Sequence, residues 1–151
     1  IPCLGIEPTK STADYSAKFG IRVNKEFFGS KVGSRMAKND EKADLIIGNN
    51  VFAHVPDIND FTAGIATLLK KHGVVTLEFP HLMQLIKYNQ FDTVYHEHFS
   101  YLSLATVCQI FEKAELRVWD VEQFASQQPR PTGRKNDNCM LVFRTLTLVN
   151  R

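Results

Sequence analysis

Short apolar runs alternate with segments of helical periodicity along almost the whole chain, and this alternation limits the possible folds more than any other feature. The predicted strands cover residues 3–6, 21–23, 44–50, 74–79, 116–121 and 139–148. The predicted helices cover residues 11–20, 31–38, 57–69, 82–88 and 104–113. Such alternation predicts an α/β fold with a mostly parallel sheet and helices on both faces. A polar loop at 127–138 joins the last two strands, which we expect to form an antiparallel hairpin.

Capping and breaking residues mark several of these boundaries. Ser11 is predicted to cap the first helix and Gly20 to end it. Asp57 or Asn59 is predicted to open the third helix, and Gly73 to end it. Residues 44–50 form an apolar run bounded by polar residues, which is typical of a strand covered on both faces.

The composition fits one soluble globular domain over residues 1–151, because 44% of the residues are hydrophobic and 23% are charged. No apolar run approaches the roughly 20 residues that cross a bilayer, and the start of the chain does not resemble a secretory signal. We therefore expect a cytoplasmic protein without membrane contact. The net charge of +2 comes from scattered Lys and Arg, so we expect no nucleic-acid partner.

The cysteine pattern argues against a cross-linked or zinc-bound fold. Cys3, Cys108 and Cys139 are odd in number, lie far apart and show no Cys-x-x-Cys spacing. This arrangement predicts reduced, buried structural thiols.

Polar and aromatic side chains follow the predicted strands, at the positions where an open α/β sheet binds its ligands. They are Glu7, Phe27, Phe28, Asn49, Asn50 and Glu78. Because the carboxyl ends of parallel strands meet at one edge of a sheet, this edge is the candidate ligand site.

Three segments closely resemble successive motifs of the sugar C-methyltransferase family. They are residues 5–8 (Gly-Ile-Glu-Pro), 49–57 (Asn-Asn-Val-Phe-Ala-His-Val-Pro-Asp) and 91–101 (Phe-Asp-Thr-Val-Tyr-His-Glu-His-Phe-Ser-Tyr). The resemblance, which extends over roughly residues 5–121, implies a Rossmann-like class I methyltransferase fold and S-adenosylmethionine as cofactor. It also implies methyl transfer to carbon of a nucleotide-linked keto-sugar. The alternative is a truncated, non-catalytic binding or interaction domain derived from a methyltransferase.

The resemblance assigns cofactor contacts to the residues after the strands. Glu7 would accept the ribose hydroxyls of S-adenosylmethionine, as an acidic residue does in dinucleotide folds, or would be a solvated acid at a helix start. Phe27 or Phe28 would stack near the adenine, with the other ring in the core. Asn49 and Asn50 would line the sulfonium and ribose side of the cleft, or form a turn after the strand.

The candidate catalytic residues lie in the third motif. Removing a proton beside a carbonyl requires a base, and histidine titrates in the needed range. The resemblance points to His98 as this base and to Tyr95 as its neighbour, while Glu97 would orient a histidine or bind a sugar hydroxyl. Alternatively, His96 and His98 are ordinary loop histidines. A His-x-His metal site is a third possibility, but no third ligand has a suitable spacing, and we expect no metal. We expect His54 to brace the loop.

The first strand and glycine-rich turn of the family are not among these 151 residues, so the first predicted strand corresponds to the family's second. The absent strand would lie between the strands that end at Glu7 and Asn49. Three explanations for the absent strand are open. A homodimer partner could supply a strand, the two flanking strands could pair directly, or the sequence could be part of a longer protein. We expect the homodimer. Residues 125–129 also differ from the His-Gly-Gly-Ser-like run of the family.

Overall fold

The computed structural model describes residues 1–125 and 139–147. Its strands are β1 (Leu4–Ile6), β2 (Arg22–Asn24), β3 (Ala43–Asn49), β4 (Leu69–Pro80), β5 (Leu116–Ala125) and β6 (Cys139–Thr147). Its α-helices are α1 (Lys10–Ala17), α2 (Ser30–Lys38), α3 (Ile58–Leu68), α4 (Leu82–Lys87) and α5 (Leu104–Lys113). Two 3₁₀ helices cover Phe52–His54 and Phe91–Thr93. The predicted loop at 127–138 lies outside the described residues.

The strands form two sheets rather than one. In the smaller sheet β1 pairs with β2 in parallel. In the larger sheet, with the order β3-β4-β6-β5, β3 and β4 are parallel and β6 runs antiparallel to both of its neighbours. The predicted α/β architecture and its terminal hairpin are therefore confirmed.

No strand pairing joins β1 to β3 in the described part of the chain, so the alternative in which these two strands pair directly is wrong. Both strands instead pack against one helical cluster formed by Val32, Met36 and Leu68. Leu4 and Ile6 of β1 contact this cluster from one side, and Ile46 of β3 contacts it as well. The two sheets are thus held side by side through α2 and α3.

The contact between α2 and α3 depends on glycine. A Cβ atom on Gly33 would lie 2.6 Å from the carbonyl oxygen of Gly64, and a Cβ atom on Gly64 would lie 2.6 Å from the carbonyl oxygen of Gly29. Both distances are far inside van der Waals contact, and the obstructing atoms belong to the backbone. Only residues without a side chain allow the two helices to approach this closely.

The chain direction places helices on both faces of the sheets. The β1-to-β2 and β3-to-β4 connections run away from the gap in opposite directions, so right-handed crossovers place α1 and α3 on opposite faces. The main core lies on the α3 face, between α3, α5 and β4. Its largest fully buried side chains are Phe52, Phe79 and Phe111.

The described residues leave the other face of β3 open, which corrects the prediction of a strand covered on both faces. Leu45 is 52% exposed and Ile47 is 63% exposed, whereas Ile46 packs against the helices. Side chains alternate along a strand, so α2 and α3 cover one face only. The apolar run indicated a strand correctly, but it did not show what covers each face.

The structure corrects two of the predicted helix boundaries and confirms a third. Ser11 does not cap α1, because Thr9 occupies the N-cap position and makes no side-chain cap bond. Asp57 caps α3, since its carboxylate accepts the Asp60 amide at 2.9 Å. Gly73 lies within β4 instead of ending α3, because the chain turns extended at Leu69, whose side chain is buried.

The two described cysteines have free thiols but are not buried. Cys3 and Cys108 are free, as expected, but both are exposed, so their predicted burial is wrong. Cys108 lies on the outer side of α5, while Val107 and Phe111 of the same helix face the core.

Within the described ranges, none of the helices has the length and apolar character needed to cross a bilayer.

We predict that Gly64→Ala destabilises the domain by about 1–3 kcal/mol, because the added methyl group collides with the Gly29 backbone. Helix propensity alone would favour alanine by about 1 kcal/mol, so the sign of the change is informative. Urea unfolding measures the free-energy change, and Lys31→Ala on the exposed side of α2 is the control. Unchanged or higher stability for Gly64→Ala would show that the helices can separate at no cost.

Candidate functional site

The candidate site is built around His98, whose side chain is 8% exposed. The Nδ1 atom of His98 lies 2.9 Å from the carbonyl oxygen of Thr93, and its Nε2 atom lies 3.0 Å from the hydroxyl of Tyr95. A carbonyl oxygen only accepts hydrogen bonds, so Nδ1 carries a proton in this arrangement. In the neutral ring Nε2 is then the acceptor, and the Tyr95 hydroxyl donates to it.

Two hydrogen bonds dock the loop that carries His98 onto the 3₁₀ helix Phe52–His54. The Nδ1 atom of His54 donates to the carbonyl oxygen of Glu97 at 2.9 Å, and the Ser100 amide donates to the carbonyl oxygen of Ala53 at 3.2 Å. Because this 3₁₀ helix follows β3, His98 lies at the carboxyl end of that strand. The sequence thus correctly predicted that His54 braces the loop.

Sequence reasoning missed a second contact of His54. Its ring centroid lies 4.6 Å from that of His98, with the planes tilted by 53°. His54 therefore forms part of the wall around His98. Its position five residues after the end of a strand was a signal, because ligand sites of parallel sheets lie at that edge.

Tyr95 is held in its protonated form. Burial raises the pKa of the Tyr95 phenol above its ordinary value, and the negative charge of Glu97 and the nearby Tyr101 raise it further. A protonated phenol donates a hydrogen bond. Tyr95 is therefore a hydrogen-bond donor next to the Nε2 atom of His98, which is the acceptor in the neutral ring.

The side chains of His96 and Glu97 do not share the buried position of His98. Glu97 and His96 are exposed in the turn before His98, whereas His98 is buried, so the structure does not bring the two histidines of the His-x-His pattern together. The strand geometry that would pair them is absent at residues 96–98, which form a turn and loop. No cluster of three or more metal-ligating side chains occurs in the described part of the chain.

The predicted cofactor residues lie at the carboxyl ends of β1 and β3, which belong to different sheets. Glu7 follows β1, and one of its carboxylate oxygens accepts the Thr9 amide at 2.7 Å, which leaves the other oxygen for a ligand. Asn49 ends β3 and is exposed. Asn50 adopts a positive φ of 51° and donates its amide to the carbonyl oxygen of Glu78, so its backbone forms the turn.

The two adjacent phenylalanines separate into one exposed ring and one core ring. Phe28 makes an edge-to-face contact with Phe61, with a centroid distance of 5.3 Å. Phe27 is 85% exposed, in the segment after β2. An exposed aromatic ring after a strand is suited to stacking on a planar base, and the core already uses Phe28.

The sequence profile of the family described as "Methyltransferase domain" matches residues 5–121. The chain belongs to the methyltransferase domain family. The methyl donor that serves enzymes of this family and fold is S-adenosylmethionine. Glu7 follows β1, Phe27 lies after β2 and Asn49 ends β3, and their carboxylate, aromatic and amide groups are of the kinds that can contact an adenosine ligand.

A curated relative supports a more specific relationship. This methyltransferase domain is 40% identical over 118 residues to C-methyltransferase NovU of Streptomyces niveus. The match covers 78% of this chain and 28% of NovU. The methyltransferase domain therefore spans little more than a quarter of that relative.

Solved structures share the fold at low sequence identity. A SAM-dependent methyltransferase from Anabaena variabilis superposes with a TM-score of 0.73 at 14% identity, over 96% of this chain and 68% of that one. The N-methyltransferase NodS of Bradyrhizobium japonicum, solved with S-adenosyl-L-homocysteine, gives a TM-score of 0.63 at 13% identity, over 95% and 65%. These similarities establish the Rossmann-like methyltransferase fold.

We predict that Tyr95 ionises above the ordinary phenol pKa of 10.0, since burial disfavours the phenolate. The phenolate absorbance of the domain, which contains four tyrosines, is measured against pH and compared with that of Tyr95→Phe. Tyr95→Phe should remove amplitude only at the alkaline end of the titration. Tyr88→Phe removes one tyrosine outside the site and is the control. A midpoint at or below pH 10 for the amplitude that Tyr95→Phe removes would contradict the assignment.

Proposed function

We propose that this domain belongs to an enzyme that transfers a methyl group from S-adenosylmethionine to carbon of a nucleotide-linked keto-sugar. The observation that carries the proposal is the buried His98, whose unprotonated Nε2 lies 3.0 Å from the Tyr95 hydroxyl. A base beside a fixed hydrogen-bond donor is the arrangement that enolate chemistry requires. The 40% identity to a C-methyltransferase also supports it.

In this proposal His98 and Tyr95 act on adjacent atoms of the substrate. The Nε2 atom of His98 accepts the proton from the carbon next to the carbonyl group. The carbonyl oxygen then gains the negative charge, and the Tyr95 hydroxyl donates a hydrogen bond to it. Bound S-adenosylmethionine supplies the methyl group for the new carbon–carbon bond.

Burial of the His98 side of the pair serves this chemistry, while Tyr95 is 42% exposed. With His98 8% exposed, little water competes for the Nε2 atom. Hydrogen bonds between preorganised groups are stronger where water is excluded. The Tyr95 phenol is protonated at neutral pH even at its ordinary pKa of 10.0, and the raised pKa extends this state to more alkaline pH.

The cofactor contacts proposed for this chain concern the adenosine part. Glu7 would accept the ribose hydroxyls, Phe27 would stack on the adenine, and Asn49 would face the ribose side. The arrangement of these side chains at the carboxyl ends of the strands supports these roles. Glu97, exposed beside His98, would bind a sugar hydroxyl.

We also propose that the protein forms a homodimer and lies in the cytoplasm. The unpaired edges of β1 and β3 support a homodimer, because an open strand edge readily pairs with another chain. The exposed free thiols of Cys3 and Cys108 support a reducing compartment such as the cytoplasm.

A non-catalytic binding domain is the second candidate, and the gap between β1 and β3 favours it. We predict that residues 1–151 alone bind S-adenosylhomocysteine weakly or not at all, because a glycine turn normally supplies backbone amides to such a ligand. Calorimetric titration measures the affinity. Micromolar binding by this chain alone would show that other groups replace those amides.

The catalytic role of His98 is tested in a polypeptide that joins residues 1–151 to a first strand and glycine turn. We predict that His98→Ala lowers turnover by about 10²- to 10⁴-fold while cofactor affinity stays nearly unchanged, because proton transfer is lost but the adenosine contacts remain. Steady-state kinetics and calorimetry measure the two effects. Full turnover by a folded His98→Ala variant would make the histidine structural.

Glu7→Ala is the matched comparison for His98→Ala. It should weaken cofactor binding by about 1.5–3 kcal/mol through the lost ribose hydrogen bonds to a charged group. Turnover at saturating cofactor should remain. Loss of binding with one variant and loss of turnover with the other would separate the two proposed roles.

A further inference from the structure

The orientation of the proposed base depends on a backbone carbonyl group. The Nδ1 atom of His98 donates to the carbonyl oxygen of Thr93 at 2.9 Å. A neutral imidazole has one N–H group, so this bond leaves Nε2 unprotonated. If the proton moved to Nε2, the nitrogen that faces Tyr95 would lose its ability to accept a proton.

The Thr93 carbonyl group is itself held by a compact turn. The Thr93 hydroxyl donates to the carbonyl oxygen of Gln90 at 2.7 Å, and the Thr93 amide donates to the same oxygen at 3.2 Å. The hydroxyl bond is the shorter of the two. The side chain of Thr93 therefore contributes directly to the position of its own carbonyl group.

This turn is itself anchored to helix α4. The Gln90 amide donates to the carbonyl oxygen of Leu85 at 2.9 Å. Gln90 is 4% exposed and Leu85 is 8% exposed, so both anchor residues are buried. A continuous set of contacts thus leads from α4 through Gln90 and Thr93 to His98.

We propose that Thr93 is a positioning residue for the methyl-transfer reaction. Its hydroxyl bond to Gln90 fixes the turn, and its carbonyl oxygen holds His98 in the Nδ1–H tautomer that leaves Nε2 free. The role in catalysis rests on the proposed function, in which His98 is the base. The control of the tautomer rests only on the distances from His98 to Thr93 and from Thr93 to Gln90.

The test measures the tautomer directly in the 151-residue chain. Long-range ¹H–¹⁵N correlation spectra of the histidine side chains distinguish Nδ1–H from Nε2–H, and the spectrum of His98→Gln assigns the His98 signals. The unsubstituted chain should show the Nδ1–H form. Thr93→Val should shift the tautomer ratio by about 2- to 10-fold toward Nε2–H, the range expected for one lost hydrogen bond.

Two variants separate positioning from general stability. Thr93→Ser keeps the hydroxyl and should restore the ratio of the unsubstituted chain. Thr67→Val is the matched control, because the Thr67 hydroxyl also donates to a backbone carbonyl, that of Ala63 at 2.9 Å, within α3. Thr67→Val should leave the His98 signals unchanged.

The outcomes are decisive in either direction. An Nε2–H tautomer in the unsubstituted chain, or an unchanged ratio in folded Thr93→Val, would overturn the proposal. If Thr93→Val failed to fold, an Nε2–H tautomer in the unsubstituted chain would still overturn the proposal, and an Nδ1–H tautomer would support the role of the Thr93 carbonyl group. Turnover in the joined polypeptide should fall about 2- to 10-fold in Thr93→Val with little change in KM. A shifted tautomer together with full turnover in His98→Ala would instead overturn the proposed function alone.

Discussion

The contact between α2 and α3 supports the arrangement of the two sheets, because no strand pairing joins them within the described residues. Helix α2 follows the small sheet, and α3 links β3 to β4 in the large one. Gly33 and Gly64 bring their backbones together, and Val32, Met36 and Leu68 form the apolar cluster on which β1 and β3 both rest. The relative position of Glu7 and Asn49, at the ends of those two strands, therefore depends on helix packing and not on strand pairing.

The site uses a second, independent set of contacts. The loop around His98 is docked on the 3₁₀ helix after β3 by bonds from His54 and Ser100, and the His98 ring is fixed from one side by Thr93 and from the other by Tyr95. These bonds are mainly to backbone carbonyl groups, which do not change protonation state. The geometry of the base therefore does not depend on ionised neighbours.

The differences between prediction and structure have physical reasons. Leu45 and Ile47 are apolar yet exposed, because hydrophobic patterning reports only the tendency of a residue to be buried, and no element among the described residues covers their face of β3. Glycine commonly ends a helix, but Gly73 does not end α3, because β4 already begins at Leu69, which pairs with Ala43. The Phe27 and Phe28 pair shows the same limit, since only the contact with Phe61 identifies the core ring.

The sequence by itself determined the order and type of the strands and helices, the family, and the segment that carries the candidate base. These properties follow from local periodicity and from ordered motifs, which are encoded in consecutive residues. Only the tertiary structure decided that β1 and β3 do not pair with each other in the described part of the chain, that His54 lies against His98, and that the Thr93 carbonyl oxygen lies 2.9 Å from Nδ1 of His98. Each of these depends on packing or hydrogen bonds between groups that the chain must fold to bring together, and no local pattern specifies such distances.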